Sequence, residues 1–163
     1  MFERFFPDEY RASAYVIPYE ELYKKGYRGV IFDIDNTLVP HDHPADERAV
    51  RLFERLTVTG FSTCLLSNNK EPRVKMFNER IHTGYIYNAH KPSTRNYVKA
   101  MEMMGTDVTN TMFVGDQLFT DVWGAKRTGI LSILVKPLHP KEEIQIVLKR
   151  YLEKIVLYFY KRK

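Results

Sequence analysis

Val30-Ile31-Phe32-Asp33-Ile34-Asp35-Asn36-Thr37-Leu38-Val39, VIFDIDNTLV, is the stretch that decides the fold. Three apolar residues run into two aspartates one position apart, followed by an amide and a hydroxyl. A strand that is apolar on both faces is buried on both faces, as in a parallel sheet, and open parallel sheets carry their chemistry where the strands end. Two neighbouring carboxylates repel each other, so they persist by sharing a proton or by holding a cation. The stretch therefore predicts a central parallel strand with an acidic site at its carboxyl end.

Outward from this strand, apolar runs and helical patterns alternate. Strands are expected over 29–34, 62–66, 85–88, 111–114 and 130–135. Helices are expected over 19–25, 47–57, 72–80, 94–104, 120–128 and 141–160, with Asp46 and Ser93 as N-caps and Pro72 near a helix start. Gly60, Gly84, Gly105 and Gly129 punctuate these units, and Pro137 and Pro140 precede the last helix. The alternation argues an α/β fold, a three-layer doubly wound parallel sheet of about five strands. Residues 1–27 read as an irregular, aromatic lead-in around the short helix. Without repeats or linkers, residues 1–163 are expected to form a single domain.

The chain has 163 residues, enough for a sizeable core without disulfides. Its one cysteine, Cys64, lies inside the apolar run 63–66 and has no partner for a bridge or a thiolate metal site, so core packing is its expected role. No apolar run approaches the roughly 20 residues needed to span a bilayer. MFERFFPDEY lacks the basic start and apolar core of a signal peptide, and a cytoplasmic location is expected. The net charge of +5 favours anionic partners: phosphates, nucleic acid or acidic lipid.

Four strand ends finish in polar groups: Asp33 and Asp35, Ser67, Lys91 and Asp116. Singly, each has an ordinary explanation as a turn former, a helix cap or a surface charge. Together, on the carboxyl edge of one sheet, they converge on one crevice. Their order and setting resemble the haloacid dehalogenase-like (HAD) superfamily of aspartate-nucleophile phosphohydrolases. Asp33-Ile34-Asp35-Asn36-Thr37 is similar to its first motif, Ser67 to its second and Lys91 before Pro92 to its third. Gly115-Asp116-Gln117-Leu118-Phe119-Thr120-Asp121 resembles its fourth.

Phosphoryl transfer needs a nucleophile, neutralisation of the transferring oxygens and an acid for the leaving group. Asp33 is the expected nucleophile, forming an aspartyl-phosphate that splits one hard displacement into two. The resemblance implies that Asp35 protonates the leaving oxygen and later takes a proton from water. Mg²⁺ suits Asp33, Asp116 and the main-chain carbonyl of Asp35. Ser67 and Lys91 would meet phosphoryl oxygens, with Thr37, Asn68 and Asn69 lining the substrate side and Gly115 supporting. By resemblance Asp121 belongs to the same acidic site, as an outer metal group or as the orienter of Lys91. His41 and His43, without a thiolate nearby, are expected to be loop residues or substrate contacts rather than zinc ligands.

In this superfamily a cap domain often follows the first or second motif. Here the intervals 33–67 and 67–91 hold only the helix and strand that the sheet requires, so no cap is expected and the site should admit a large phosphorylated substrate. GVIFDIDNTLV, LLSNNKEPRV, NAHKPS and MFVGDQLFTDVWGAKRTGI together resemble the YqeG-type branch of the capless subfamily IIIA, which has a relative acting on phosphatidylglycerophosphate. The tail, residues 148–163, mixes aromatic and aliphatic side chains with Lys and Arg, which suits anionic phospholipid at a membrane surface or a helix packed on the sheet. Other readings are a phosphatase for nucleic-acid ends or phosphoprotein, and a non-catalytic RNA- or ribosome-associated binding module.

Overall fold

Six strands form one sheet: β1 (Glu9–Arg11), β2 (Gly29–Phe32), β3 (Ser62–Leu66), β4 (Gly84–Ile86), β5 (Thr111–Gly115) and β6 (Leu131–Val135). Their spatial order is β1-β6-β5-β2-β3-β4, and every neighbouring pair is parallel. The structure is a computed structural model that describes residues 2–138 and 144–163.

The count differs from the expected five because the lead-in is not irregular throughout. Glu9-Tyr10-Arg11 shows no apolar alternation, yet it pairs with Ile133, Leu134 and Val135 as an edge strand. Asp8 reinforces that edge, its carboxylate accepting the Ser132 amide at 2.8 Å. An edge strand covered mainly on one side needs little apolar signal, which is why the pattern missed it.

The two central strands explain themselves. β2 and β5 are buried at every residue, because helices cover both faces. Alternate side chains go to opposite layers. Val30, Phe32, Leu65, Met112 and Val114 pack towards α1 (Tyr19–Lys24), α2 (Glu47–Thr59) and α3 (Glu71–Asn78). Ile31, Cys64, Leu66 and Phe113 pack towards α4 (Arg95–Met104) and α5 (Trp123–Thr128). Cys64 is free and buried there, and burial pushes its thiol up to about 12, as expected of a packing residue.

Local signals act where the sequence placed them, with exceptions. Asp46 caps α2, accepting the Ala49 amide at 2.9 Å, and Gly60 closes it in a left-handed conformation. Ser93 does not cap α4. Thr94 stands at that position without a side-chain capping bond, while the Ser93 amide turns back to the His90 carbonyl at 2.8 Å. The helix expected over 120–128 divides into a π-helical turn, Leu118–Val122, followed by α5. The last helix, α6, is Ile144–Tyr160; Pro140 and the expected start at Lys141 lie outside the described residues.

The chain leaves β2 for β3 and β4 on one side, then crosses to β5 and β6 on the other. β2 and β5 therefore flank the point where the winding reverses, where side chains at the carboxyl edge face an open crevice. Each crossover from β2 to β3 and from β3 to β4 holds one helix and no cap domain.

Candidate active site

The register of the central strands aligns Phe32 with both Val114 and Leu65, and the Asp33 amide continues the ladder to the Val114 carbonyl at 3.0 Å. Asp33 thus emerges beside Gly115-Asp116 and one residue short of the level of Ser67. Beyond it the chain reverses sharply. Asn36 takes a φ of 61°, a conformation that asparagine tolerates, and the amides of Thr37 and Leu38 return to the Ile34 carbonyl. This turn folds Thr37 back over the strand end, where its hydroxyl lies 3.2 Å from Asp33 Oδ2 and 3.0 Å from Asp116 Oδ1.

Lys91 enters from the loop after β4. Its buried Nζ donates to Asp33 Oδ1 at 2.9 Å and to Asp121 Oδ1 at 2.7 Å. Burial opposes its charge, but Asp121 and Asp33 outweigh that cost and push its pKa well above the ordinary lysine value. Asn68, expected on the substrate side, spends both amide atoms on the Lys91 main chain, accepting its N–H at 2.7 Å and donating to its carbonyl at 3.2 Å. It acts as a bracket for the lysine.

Asp121 reaches this point through the π-helical turn. Its Oδ2 accepts the amides of Asp116 and Gln117, each at 3.1 Å, and its side chain packs against Gly115. A Cβ at Gly115 would stand 2.6 Å from the Asp121 carboxyl carbon, so only glycine fits. The Tyr97 hydroxyl holds the same turn through the carbonyls of Thr120 and Asp121, at 3.1 and 3.2 Å. Asp116 is held from α6, where Arg150 bonds both its side chain and its carbonyl. Glu153, three residues on, accepts the Leu118 amide at 2.7 Å and the Arg150 guanidinium at 3.1 Å.

Asp35 faces a different set of partners. Arg73, on α3, grips its Oδ1 through Nε at 3.0 Å and Nη2 at 2.8 Å. The Asp42 amide reaches Oδ1 at 2.9 Å, Asn69 donates to Oδ2 at 3.2 Å, and His41 Nδ1 stands 3.7 Å from Oδ1. Ser67, buried at the end of β3, accepts the Asn69 amide at 3.0 Å. His41 also approaches Asp42 at 3.2 Å.

Asp33, Asp116 and Asp121 are buried and offer oxygens within 4.8 Å of one another. Burial raises the pKa of Asp116 well above the ordinary carboxylate value, and the neighbouring Asp33 adds to the shift. Burial and Asp33 likewise push Asp121 up to about 6, although Lys91 pulls it down. Three carboxylates face two cations, Lys91 and Arg150, and the single Thr37 proton lies between two acidic oxygens. That excess of hard oxygen donors suits a divalent cation.

The family model described as HAD-hydrolase-like matches residues 88–137, which include Lys91, Asp116 and Asp121. "Probable phosphatase YqeG" of Bacillus subtilis is 36% identical over 165 aligned positions, covering 100% of this chain and 96% of that protein. The chain belongs to the HAD-like hydrolases.

Within this family its enzyme class is that of a HAD-type phosphatase. Phosphatidylglycerophosphate phosphatase 1 of Arabidopsis thaliana is 30% identical over 158 positions, 85% of this chain but only 45% of the plant protein. The fold also recurs in a HAD-superfamily hydrolase from Ehrlichia chaffeensis, with a TM-score of 0.55 at 14% identity, covering 78% of this chain and 97% of that one.

Arg73, Tyr97, Arg150 and Glu153 escaped the sequence reading. Arg73 sits within the quoted LLSNNKEPRV, but one arginine on a helix carries no signal of what it will touch. Arg150 comes from a helix 34 residues beyond Asp116, and only the fold brings them together.

Proposed function

We propose that the chain is a Mg²⁺-dependent phosphomonoesterase that works through an aspartyl-phosphate on Asp33. The observation that carries this reading is the Asp33 carboxylate at the end of β2, held by Lys91 inside a buried acid cluster. Asp33 and Asp116 would hold the ion with the Asp35 carbonyl, and Asp121, which accepts from Lys91 and two amides, would stand behind them. When bound, the ion supplies charge neutralisation at the phosphoryl oxygens.

The remaining work falls to side chains. Lys91 Nζ orients Asp33 for attack on phosphorus and neutralises a phosphoryl oxygen. Asp121 keeps Lys91 in place. Ser67, whose oxygen accepts the Asn69 amide, retains its O–H to donate to a phosphoryl oxygen. As the Asp33–phosphorus bond forms and the ester bond breaks, Asp35 gives its proton to the leaving oxygen. It then takes a proton from the water that attacks phosphorus, and inorganic phosphate leaves with Asp33 restored. Thr37 and Asn69 fix the two aspartates, one each.

The uncapped crevice suits a phosphate on a large carrier, and the full substrate reading is phosphatidylglycerophosphate, cleaved to phosphatidylglycerol at the inner face of a membrane by a cytoplasmic protein. The plant relative's name supports it. The deciding experiment is phosphate release from phosphatidylglycerophosphate in mixed micelles beside a panel of nucleotides and sugar phosphates. Release is expected to need Mg²⁺, to stop with chelator and to vanish in Asp33→Asn. Preference for a soluble sugar phosphate would defeat the lipid assignment, and full activity in Asp33→Asn would defeat the nucleophile.

A further inference from the structure

α6 is amphipathic in an unusual sense: among its described side chains, residues 147–160, the inward edge is mixed and an exposed apolar stripe runs between Lys149 and Lys154. Arg150, Glu153, Val156, Leu157 and Tyr160 turn inward, the first two to the Asp116 end of the sheet and the others to an aromatic cluster with Phe6, Leu118 and Leu134. Leu148, Tyr151, Leu152, Ile155, Tyr158 and Phe159 face solvent, with Leu148 66% and Tyr151 68% exposed. Positions 148, 151, 152, 155 and 159 recur at helical spacing, so they form one continuous stripe along a helix about 25 Å long. An uninterrupted apolar stripe of that size on a surface is an interaction site.

Its surroundings identify the partner. Lys149 and Lys154 flank the stripe, and Lys161, Arg162 and Lys163 follow its end, all exposed. Glu153, the one acidic residue of α6, is buried away from it. A shallow cavity at the same end is lined by Phe2, Phe6 and Phe159, with Glu3, Arg162 and Lys163 beside them. Apolar and aromatic side chains between basic rims match the boundary between acyl chains and anionic headgroups. A second copy of this chain fits less well, because a two-fold pairing through the stripe would bring the lysine rims together.

We infer that the outward face of α6 is a docking surface for an anionic lipid bilayer. The helix lies in the interface plane rather than crossing it: among the described residues no helix is long and apolar enough to span a membrane. Because Arg150 on the opposite edge touches Asp116, the catalytic crevice is held about one helix diameter, roughly 10 Å, from the docked surface. The stripe lies on the outward face of α6, away from the edge whose Arg150 and Glu153 support the crevice.

The test is co-sedimentation of the full chain with vesicles of equimolar phosphatidylglycerol and phosphatidylcholine, beside vesicles of phosphatidylcholine alone. Binding to the anionic vesicles is expected, and to weaken with salt. A Tyr151→Ser/Leu152→Ser double variant should lose about ten-fold or more in partition, and Lys149→Glu/Lys154→Glu a comparable amount, since each lysine lost removes attraction to the anionic surface. Both variants should keep the wild-type far-ultraviolet circular dichroism spectrum and wild-type turnover of p-nitrophenyl phosphate. Sedimentation does not depend on turnover, so an inactive protein that binds vesicles would sink the phosphatase reading and leave this one standing. Three results would overturn it: no preference for anionic vesicles, equal binding by the serine variant, or a dimer in light scattering that the serine variant dissolves.

Discussion

The floor of the crevice and its rim solve the same problem in opposite ways. At the floor, Asp33, Asp116 and Asp121 share two cations within a buried space, and the acids outnumber their partners. At the rim, Asp35 accepts two N–H groups of Arg73 on a single oxygen, an asparagine amide and a main-chain amide, so its donors outnumber its oxygens, with Asp42 3.7 Å from the same arginine. The difference teaches which group is poised to gain a ligand. A crowded acidic floor gains by taking up positive charge, whereas the rim carboxylate is gripped on one oxygen, Oδ1, and turns its other oxygen, beside Asn69, to proton transfer. Two aspartates one residue apart thereby come to stand in different electrostatic settings.

The sharpest break in this contrast is Asp33→Asn, which removes the attacking oxygen and should lower kcat by about 10⁴-fold or more. Single-turnover phosphate release measures it, and an unchanged thermal midpoint would separate chemistry from folding. Lys91→Met strikes the floor next. It should cost about 10²–10³-fold in kcat, and about 3–5 kcal/mol of stability because Asp33 and Asp121 lose their buried cation. Kinetics and urea unfolding read the two effects separately.

Arg73→Met tests the rim. Loss of the grip on Asp35 should lower kcat by about 10- to 100-fold through misorientation, with less effect on stability than Lys91→Met. Equal stability losses in the two variants would erase the distinction between floor and rim.

The floor also predicts a pH dependence. Asp116 and Asp121 are acids whose pKa is higher folded than unfolded, so the native chain keeps protons that the unfolded chain has released. Their contribution is complete below the unfolded value and is lost as pH rises; for Asp121 the window runs from 3.8 to about 6. The metal-free protein should therefore lose part of its thermal stability across that window, and added Mg²⁺ should restore more at pH 7 than at pH 4. Differential scanning calorimetry with and without the ion measures both. The smallest effect belongs to His41→Gln, at an exposed position beside Asp35, which should change kcat by about two-fold at most.

Much of this was legible in the chain itself. VIFDIDNTLV announced a buried strand ending in acids because an apolar run cannot meet two carboxylates in a core without a crevice to receive them. The glycines after α2, α4 and α5, and Asp46 before α2, read correctly because caps and left-handed turns depend on one residue and its backbone. β1 was not legible, since three polar residues on a sheet edge carry no alternation. The π-helical turn that carries Asp121 against Gly115 was not legible either, because no local pattern encodes it. Asn68 read as a substrate contact because an amide at a strand end suits several partners, and its position against the Lys91 backbone depends on where the next strand lies.

By itself, then, the sequence determined the parallel α/β scaffold and the residue types at its carboxyl edge, because strand periodicity, caps and motif spacing are local properties. The tertiary structure decided the pairings. Arg73 on Asp35, Arg150 on Asp116 and the outward turn of the α6 stripe join elements far apart in the chain. Electrostatic partnership falls off with distance in space, and distance in space is set only when the sheet has closed the chain upon itself.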